Sequence, residues 1–388
     1  MGDKILKTMP KVKVDPPFEL LMASLKSVAS RKTYAVNYRG FLKFSEMKNG
    51  QQIIDTTPKK LTEIIIGYIL QLQKEVNPNT IPTYLATVRS FLEINDIDLK
   101  WKKIKKFYPD KIKISGQNAY STEHVKKMLS VTTKLQHRAL IHFHASTGCR
   151  AGSIFYEYDK SLKRALTIGD LRDMPHGCQM VTIYRDTKDE YSTFLTPEAV
   201  IEIENFLTAR KNKGEILNNE SPLFIKLNGT PMTEMDAKQI FKRIVTVANV
   251  RGQMKNGRYP VQLVHGFRKR FNTIMKLNNS VNYNAIEKMM GHQKGLDGTY
   301  LQITDERLFE EFYKGITDLT ISDEFRDKLK IRELEKAKPD DEEIITKIMP
   351  EVLTHLRKEL GLGTITNDAV DTLNKEQLKN LVKNFLVN

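Results

Sequence analysis

One stretch of this chain abandons the helical rhythm that governs the rest. Residues 180–195 read Met180-Val-Thr-Ile-Tyr184, then Asp186-Thr-Lys-Asp189, then Tyr191-Ser-Thr-Phe-Leu195. Two runs rich in β-branched and aromatic residues around a polar turn predict a β-hairpin in a small sheet. Elsewhere apolar residues recur three and four apart, the helical period. The fold class predicted is therefore mainly α with a small antiparallel β-sheet or hairpin.

Helical spacing begins at Phe18. Tyr34, Tyr38, Phe41 and Leu42 share one face; Leu61, Ile64, Ile65, Tyr68, Ile69 and Leu72 share another. Leu85, Val88 and Leu92 follow a start signal at Thr80 with Pro82 in the first turn. These make a small all-helical domain of about four helices. Ser121, with Glu123 in the first turn, opens a second domain whose helical pattern runs to about Ser146. Beyond the hairpin, Thr196-Pro197-Glu198 opens a helix to about Arg210, and Thr233 with Asp236 opens another. Helical character continues through 267–277 and 281–290. The expected organisation is a basic arm over 1–17, a helical domain over 18–112, a linker over 113–120, a second domain over 121–317 and a helical tail over 318–388.

Charge narrows the partners. Lys and Arg number 62 against 47 Asp and Glu, a formal +15 on 388 residues, which suits a polyanion, most often nucleic acid. Residues 321–388 hold 12 basic and 14 acidic side chains, so the surplus lies wholly before them and the tail is a candidate for protein contact. Between Lys100 and Lys113 stand seven lysines and one aspartate. That run reads either as a solvated helix end or as a strap over phosphates, which gives affinity without sequence choice. Two cysteines, Cys149 and Cys178, cannot build a disulfide framework or a cysteine zinc site. No apolar run reaches membrane-spanning length and the start lacks a secretory core. The expected location is cytoplasmic, at the nucleoid, with no membrane partner.

Five places carry candidate chemistry, and each has a plain reading beside the functional one. Thr147-Gly148-Cys149-Arg150 ends an apolar helix; Gly148 caps it, and Arg150 is either a surface cation or a fixed one. Lys188 at the hairpin tip is either a solubilising charge or an ammonium placed to donate a proton. His265 and Arg268 stand at i, i+3 on one helical face, a common spacing. Gly291-His292 closes an amphipathic helix, where a glycine cap and a histidine near the dipole are ordinary. Tyr300 follows in a Gly- and Asp-containing segment and is either a packing residue or a nucleophile. Taken together they suit metal-free phosphoryl transfer. Two arginines neutralise nonbridging oxygens, a tyrosine attacks, a lysine protonates the leaving hydroxyl, and histidines assist.

The order Arg…Lys…His-x-x-Arg…His…Tyr resembles the tyrosine recombinase (phage integrase) family, with an archaeal-type flavour. TGCR resembles the family's T-G-x-R; YRDTKDEYSTFLTPEAV resembles its lysine hairpin and following Pro-initiated helix; LVHGFRKRF resembles its H-x-x-R helix. MMGHQ, 24 residues past Arg268, resembles its second histidine box. SRKTYAVNYRGFLKF and NTIPTYLATVRSFLEI resemble its helical core-binding domain, so the resemblance spans about residues 18–317. It implies a SAM-like helical core-binding domain and a mixed α/β catalytic domain clamping double-stranded DNA. It also implies a 3′-phosphotyrosyl intermediate on Tyr300, neither metal nor cofactor, and a homotetramer on synapsed DNA, with a monomer in solution allowed. Arg150, Lys188, His265, Arg268, His292 and Tyr300 become the catalytic set, and Lys32, Arg89, Lys100, Lys102, Lys103, Lys105 and Lys106 the DNA-gripping set.

Three departures stand out. Ser153 occupies the position usually acidic, three after the first arginine. The hairpin tip lacks the usual glycine. Tyr300 follows His292 by eight residues rather than nine, and Leu301 stands where archaeal-type members often carry a second tyrosine. Competing expectations are a type IB topoisomerase, which relaxes DNA without partner exchange, and an inactive DNA-binding protein on the same fold. A basic RNA-binding protein, a third, needs no clustering of Arg150, His265, Arg268 and His292.

Overall fold

The computed structural model describes residues 15–113, 116–157, 163–255, 257–292 and 302–337. They divide into two compact units between Leu319 and Thr320.

Proline and short polar side chains set where the first helices begin. Helix α1 (Pro16–Ser24) opens on two prolines, α2 (Val28–Ser45) on Ser27, whose hydroxyl accepts from Ser30 N–H, and α3 (Gly50–Ile54) on Asn49. Helix α4 (Pro58–Glu75) is capped by Thr57 with proline in its first turn. Asp15 ties three of these together: its carboxylate accepts from the Tyr38 hydroxyl at 2.7 Å and from the Gly50 N–H at 3.0 Å. Helix α5 (Ile81–Ile94) starts where the sequence signals a start, but the Thr80 hydroxyl turns back to Asn77 O rather than capping it. The periodic apolar residues Phe41, Leu61, Ile65, Ile69, Leu85, Phe91 and Leu92 are buried together, each contributing about 2 kcal/mol.

The lysine run between the two helical regions is anchored from beneath by apolar side chains. Helix α6 (Trp101–Ile104) and a 3-10 turn over Lys105–Phe107 bury Trp101 and Ile104 in the first core, while the seven lysines stay exposed. Further on, the Asn79 side chain brackets Ile112, donating to its carbonyl at 2.7 Å and accepting from its N–H at 3.1 Å.

In the second region the helical pattern running to about Ser146 is made of two helices. Helix α7 (Thr122–Ser130) has a reciprocal cap between Ser121 and His124, and α8 (Leu135–Thr147) begins after a break. Strands β1 (Phe155–Glu157) and β2 (Lys163–Ala165) pair with each other; β3 (Leu171–Met174), β4 (Cys178–Ile183) and β5 (Tyr191–Leu195) form an antiparallel sheet in that order. The expected hairpin is β4–β5, closing with Ile183 opposite Tyr191. Helices α9 (Pro197–Asn212), α10 (Glu234–Val247, with a Thr233–Asp236 capping box), α11 (His265–Leu277) and α12 (Tyr283–Met289) follow. Further helices cover Asp305–Lys314, Ile316–Leu319 and Asp323–Ala337. Phe143, Phe194, Phe241, Phe267, Phe271 and Phe312 are fully buried and form the centre on which the site rests.

Candidate active site

Two glycine turns frame the site. Helix α8 ends at Gly148, left-handed at φ +58°, and a β-carbon there would lie 2.5 Å from Cβ of Phe271 on α11. Only glycine allows both the turn and that approach. The chain then presents Arg150, whose guanidinium is exposed. Ser153 accounts for the missing acidic residue. Fully buried, it donates from its hydroxyl to Arg150 O at 2.6 Å, and its N–H donates there at 3.0 Å. It holds the backbone of Arg150, not its charge. The second turn, Gly291 after α12, has φ +62° and packs against the Tyr191 ring so closely that a β-carbon would sit 2.5 Å from it.

Arg268 joins the two turns. It is 3 % exposed. Its Nη1 donates to Gly148 O at 3.0 Å; its Nη2 donates to Met290 O at 2.5 Å and to His292 Nε2 at 2.7 Å. His292 is fixed at its other nitrogen, where Nδ1 donates to Glu287 Oε2 at 3.0 Å. A carboxylate only accepts, so the protonated nitrogen is Nδ1, and Nε2 accepts from Arg268.

His265 stands at the exposed start of α11, not on a shared open face with Arg268, which turns inward. Burial, then the positive Lys269, Arg268 and Arg150, hold the His265 imidazole below its ordinary pKa. Burial and the same two arginines depress His292, and Glu287 works against them. Burial lowers Arg268 as well, with Arg150 adding to it. Arg150, His265, Arg268 and His292 therefore share one local field, the clustering that the RNA-binding expectation does without. It is a cationic cluster that disfavours the imidazolium form and favours anions.

Lys188 lies at the exposed tip of the β4–β5 hairpin, and Tyr184 and Tyr191 at its root feel the charges of Arg150 and Arg268. The turn is built without glycine: Tyr184 and Asp186 adopt φ of 56° and 64°. Its root is clasped by buried Asp170, which accepts from Arg164 at 2.8 Å and Arg185 at 3.1 Å. Tyr300 falls outside the described residues. The next tyrosine, Tyr313, sits on helix Asp305–Lys314 with its ring 4.6 Å from that of His176.

Of the residues expected to grip DNA, Lys32, Lys100, Lys102, Lys103, Lys105 and Lys106 are exposed. Arg89 is half-buried, paired with Glu93 at 2.6 Å and lying over the Trp101 ring at 5.6 Å. Sequence reasoning missed Glu287 and Tyr191. Glu287 carried a faint signal, five residues before a histidine at a helix end; Tyr191 looked like an ordinary strand residue.

The sequence profile of the phage integrase family matches residues 120–296, ending four residues before Tyr300. No curated protein matches the chain by sequence. Among solved structures it is similar to the Tn1549 transposon integrase in complex with transposon right end DNA, at 17% identity over 76% of this chain and 98% of that one, TM-score 0.50. It is similar to a lambda integrase dimer bound to a COC′ core site at 13% identity over 74% and 96%, TM-score 0.50. The XerH site-specific recombinase bound to its difH substrate gives 18% identity over 73% and 79%, TM-score 0.48. At these identities the two likenesses with TM-score 0.50 establish the fold alone. No helix among the described residues is long and apolar enough to cross a membrane.

Proposed function

Residues 120–296 are a phage integrase family domain, and on that premise we propose that this site-specific recombinase cleaves DNA with Tyr300, leaving a 3′-phosphotyrosyl link. The observation that carries the reading is Arg268 pinned between the two glycine turns, with the charges of Arg150 and Arg268 acting on both His265 and His292. Arg150 and Arg268 neutralise the nonbridging oxygens as charge builds on the phosphorane. The Tyr300 oxygen bonds to phosphorus as the bond to the 5′ oxygen breaks, and Lys188 protonates that oxygen. The phenol proton passes to a neighbouring imidazole, and His265, exposed at the start of α11 and held below its ordinary pKa, suits that role. A 5′ hydroxyl from the partner duplex then reverses the step, so the bond energy is kept.

The substrate is double-stranded DNA, gripped by Lys32, Arg89 and the lysines of 100–106. Four copies assemble on synapsed DNA, with residues 318–388 the segment assigned to contact between them. The place of action is the cytoplasm, at the nucleoid.

Denaturing electrophoresis after incubation with nicked genomic fragments tests the nucleophile. Wild type and Tyr313→Phe give a protein–DNA band; Tyr300→Phe binds the fragments and gives none. A band that survives in Tyr300→Phe assigns the nucleophile elsewhere.

A further inference from the structure

Among groups not assigned a part in the chemistry, Glu287 is the one whose two oxygens both face the site's supports. It sits at the end of α12, 7 % exposed. Oε1 accepts from Lys276 Nζ of α11 at 2.5 Å; Oε2 accepts from His292 Nδ1 at 3.0 Å; its carbonyl accepts the His292 N–H at 2.9 Å. Lys276 is itself steadied by the Tyr283 hydroxyl at 3.3 Å and lies over that ring at 4.3 Å. A chain of contacts thus runs from Lys276 through Glu287 and His292 to Arg268.

We propose that Glu287 is a positioning residue for strand cleavage: it fixes His292 as the Nδ1–H tautomer, so that Nε2 faces Arg268 as an acceptor and aligns the guanidinium for the phosphate. The argument is one of hydrogen-bond direction. Arg268 only donates, so an Nε2–H tautomer would set donor against donor at 2.7 Å. Without the carboxylate nothing on α12 selects Nδ1–H, and Arg268 loses His292 Nε2 as an acceptor. Lys276 keeps the carboxylate from rotating. This inference rests on the recombinase reading of His292 and Arg268, but its first consequence is a property of the folded protein without DNA.

Selective 15N-histidine labelling of the full chain, with the His292 signals assigned through His292→Asn, reads the tautomer directly. The expected result is Nδ1–H in wild type and in Glu287→Gln, whose amide oxygen still accepts, and Nε2–H in Glu287→Ala. Lys276→Met removes a part-buried ion pair yet keeps Nδ1–H, which separates positioning from general loss of stability. Nε2–H in wild type, or Nδ1–H retained in Glu287→Ala, overturns the proposal.

Adduct formation on nicked genomic fragments supplies the second measure. Glu287→Ala is expected to slow it about a hundred-fold, with Glu287→Gln restoring most of the rate. Among the described residues, the charged groups acting on His292 are Glu287, Arg268 and Arg150. Since only Glu287 favours the imidazolium, Glu287→Gln moves the acid limb of the rate profile to lower pH. A slow His292→Asn beside an unimpaired Glu287→Ala removes this proposal alone. An unimpaired His292→Asn removes the catalytic reading of His292, whatever the tautomer.

Discussion

At the residue scale the site borrows its rigidity from buried polar side chains that never meet solvent. His142 and His144 on α8 are both buried, and burial pulls the first down to about 4 and the second to about 3. His144 stands 3.5 Å from the Cys149 sulfur, directly before Arg150, with its ring against Phe241 and Phe267. Both histidines are neutral in the fold and take up protons near pH 6.5 when unfolded. Stability is therefore intact above pH 6.5 and drains away as pH falls, down to about 4 for His142 and about 3 for His144. While both titrate the slope is about 2.7 kcal/mol per pH unit, ~1.4 for each proton. Urea midpoints between pH 7 and 5 should fall steeply, and His144→Phe, which suits the aromatic surroundings, should halve the slope; an unaltered slope in that variant assigns the loss to other groups. The sequence displayed Arg150, His265, Arg268 and His292 because their spacing along the chain survives in one dimension. It could not display Ser153 holding the Arg150 carbonyl or Glu287 orienting His292. Those roles depend on which way a turn closes, and a serine or a glutamate at those positions is otherwise unremarkable.

At the scale of elements, patterning was legible where one face is apolar and illegible where pairing does the work. The two β-branched and aromatic runs of 180–195, around a polar turn, exposed β4 and β5. Strand β3, Leu-Arg-Asp-Met, has no such run and exists because its backbone pairs with β4. The break between α7 and α8 was hidden because the apolar period resumes in phase. The Asp170 clasp was equally invisible, since Arg164, Asp170 and Arg185 lie on three separate segments. Its consequence is testable. Asp170 is 2 % exposed at its side chain and receives two guanidiniums, so Asp170→Asn leaves two cations facing an uncharged amide. The expected cost is about 3 kcal/mol, with adduct formation slowed more than DNA binding, because the β4–β5 hairpin that carries Lys188 loses its fixed root. Equal losses in both would mean the clasp supports the fold without aiming the hairpin. The lysine run makes an independent prediction. Trp101 and Ile104 anchor it in the first core while its lysines stay exposed. Replacing Lys102, Lys103 and Lys106 by Gln should leave the fold unchanged and weaken binding to all sequences alike. The salt slope should drop by about 2–3, measured by fluorescence anisotropy on unrelated duplexes. An unchanged slope removes these lysines from the DNA-gripping set.

At the scale of the whole molecule, charge and compactness divide the chain at the same point. The first unit ends at Leu319, whose carbonyl accepts from buried Arg270 at 3.1 Å. The basic surplus also stops there, since residues 321–388 carry more acid than base. A chain ending after Leu319 keeps the Arg270 contact, both glycine turns and every lysine assigned to DNA. It should therefore unfold as the full chain's first unit does and bind duplex DNA with the same salt slope, because counterion release counts only the cations that meet phosphate. What it should lose is assembly. With residues 320–388 assigned to contact between copies, the truncated protein should cleave nicked fragments while its complexes on two-site DNA stay smaller than four copies. Mass photometry of crosslinked complexes, read beside the adduct gel, measures both. A truncated chain that still assembles four copies would place the protomer contact within the first unit. A steeper salt slope after truncation would show instead that the acidic tail competes with DNA for the lysines, making it an electrostatic brake on binding rather than a contact between copies.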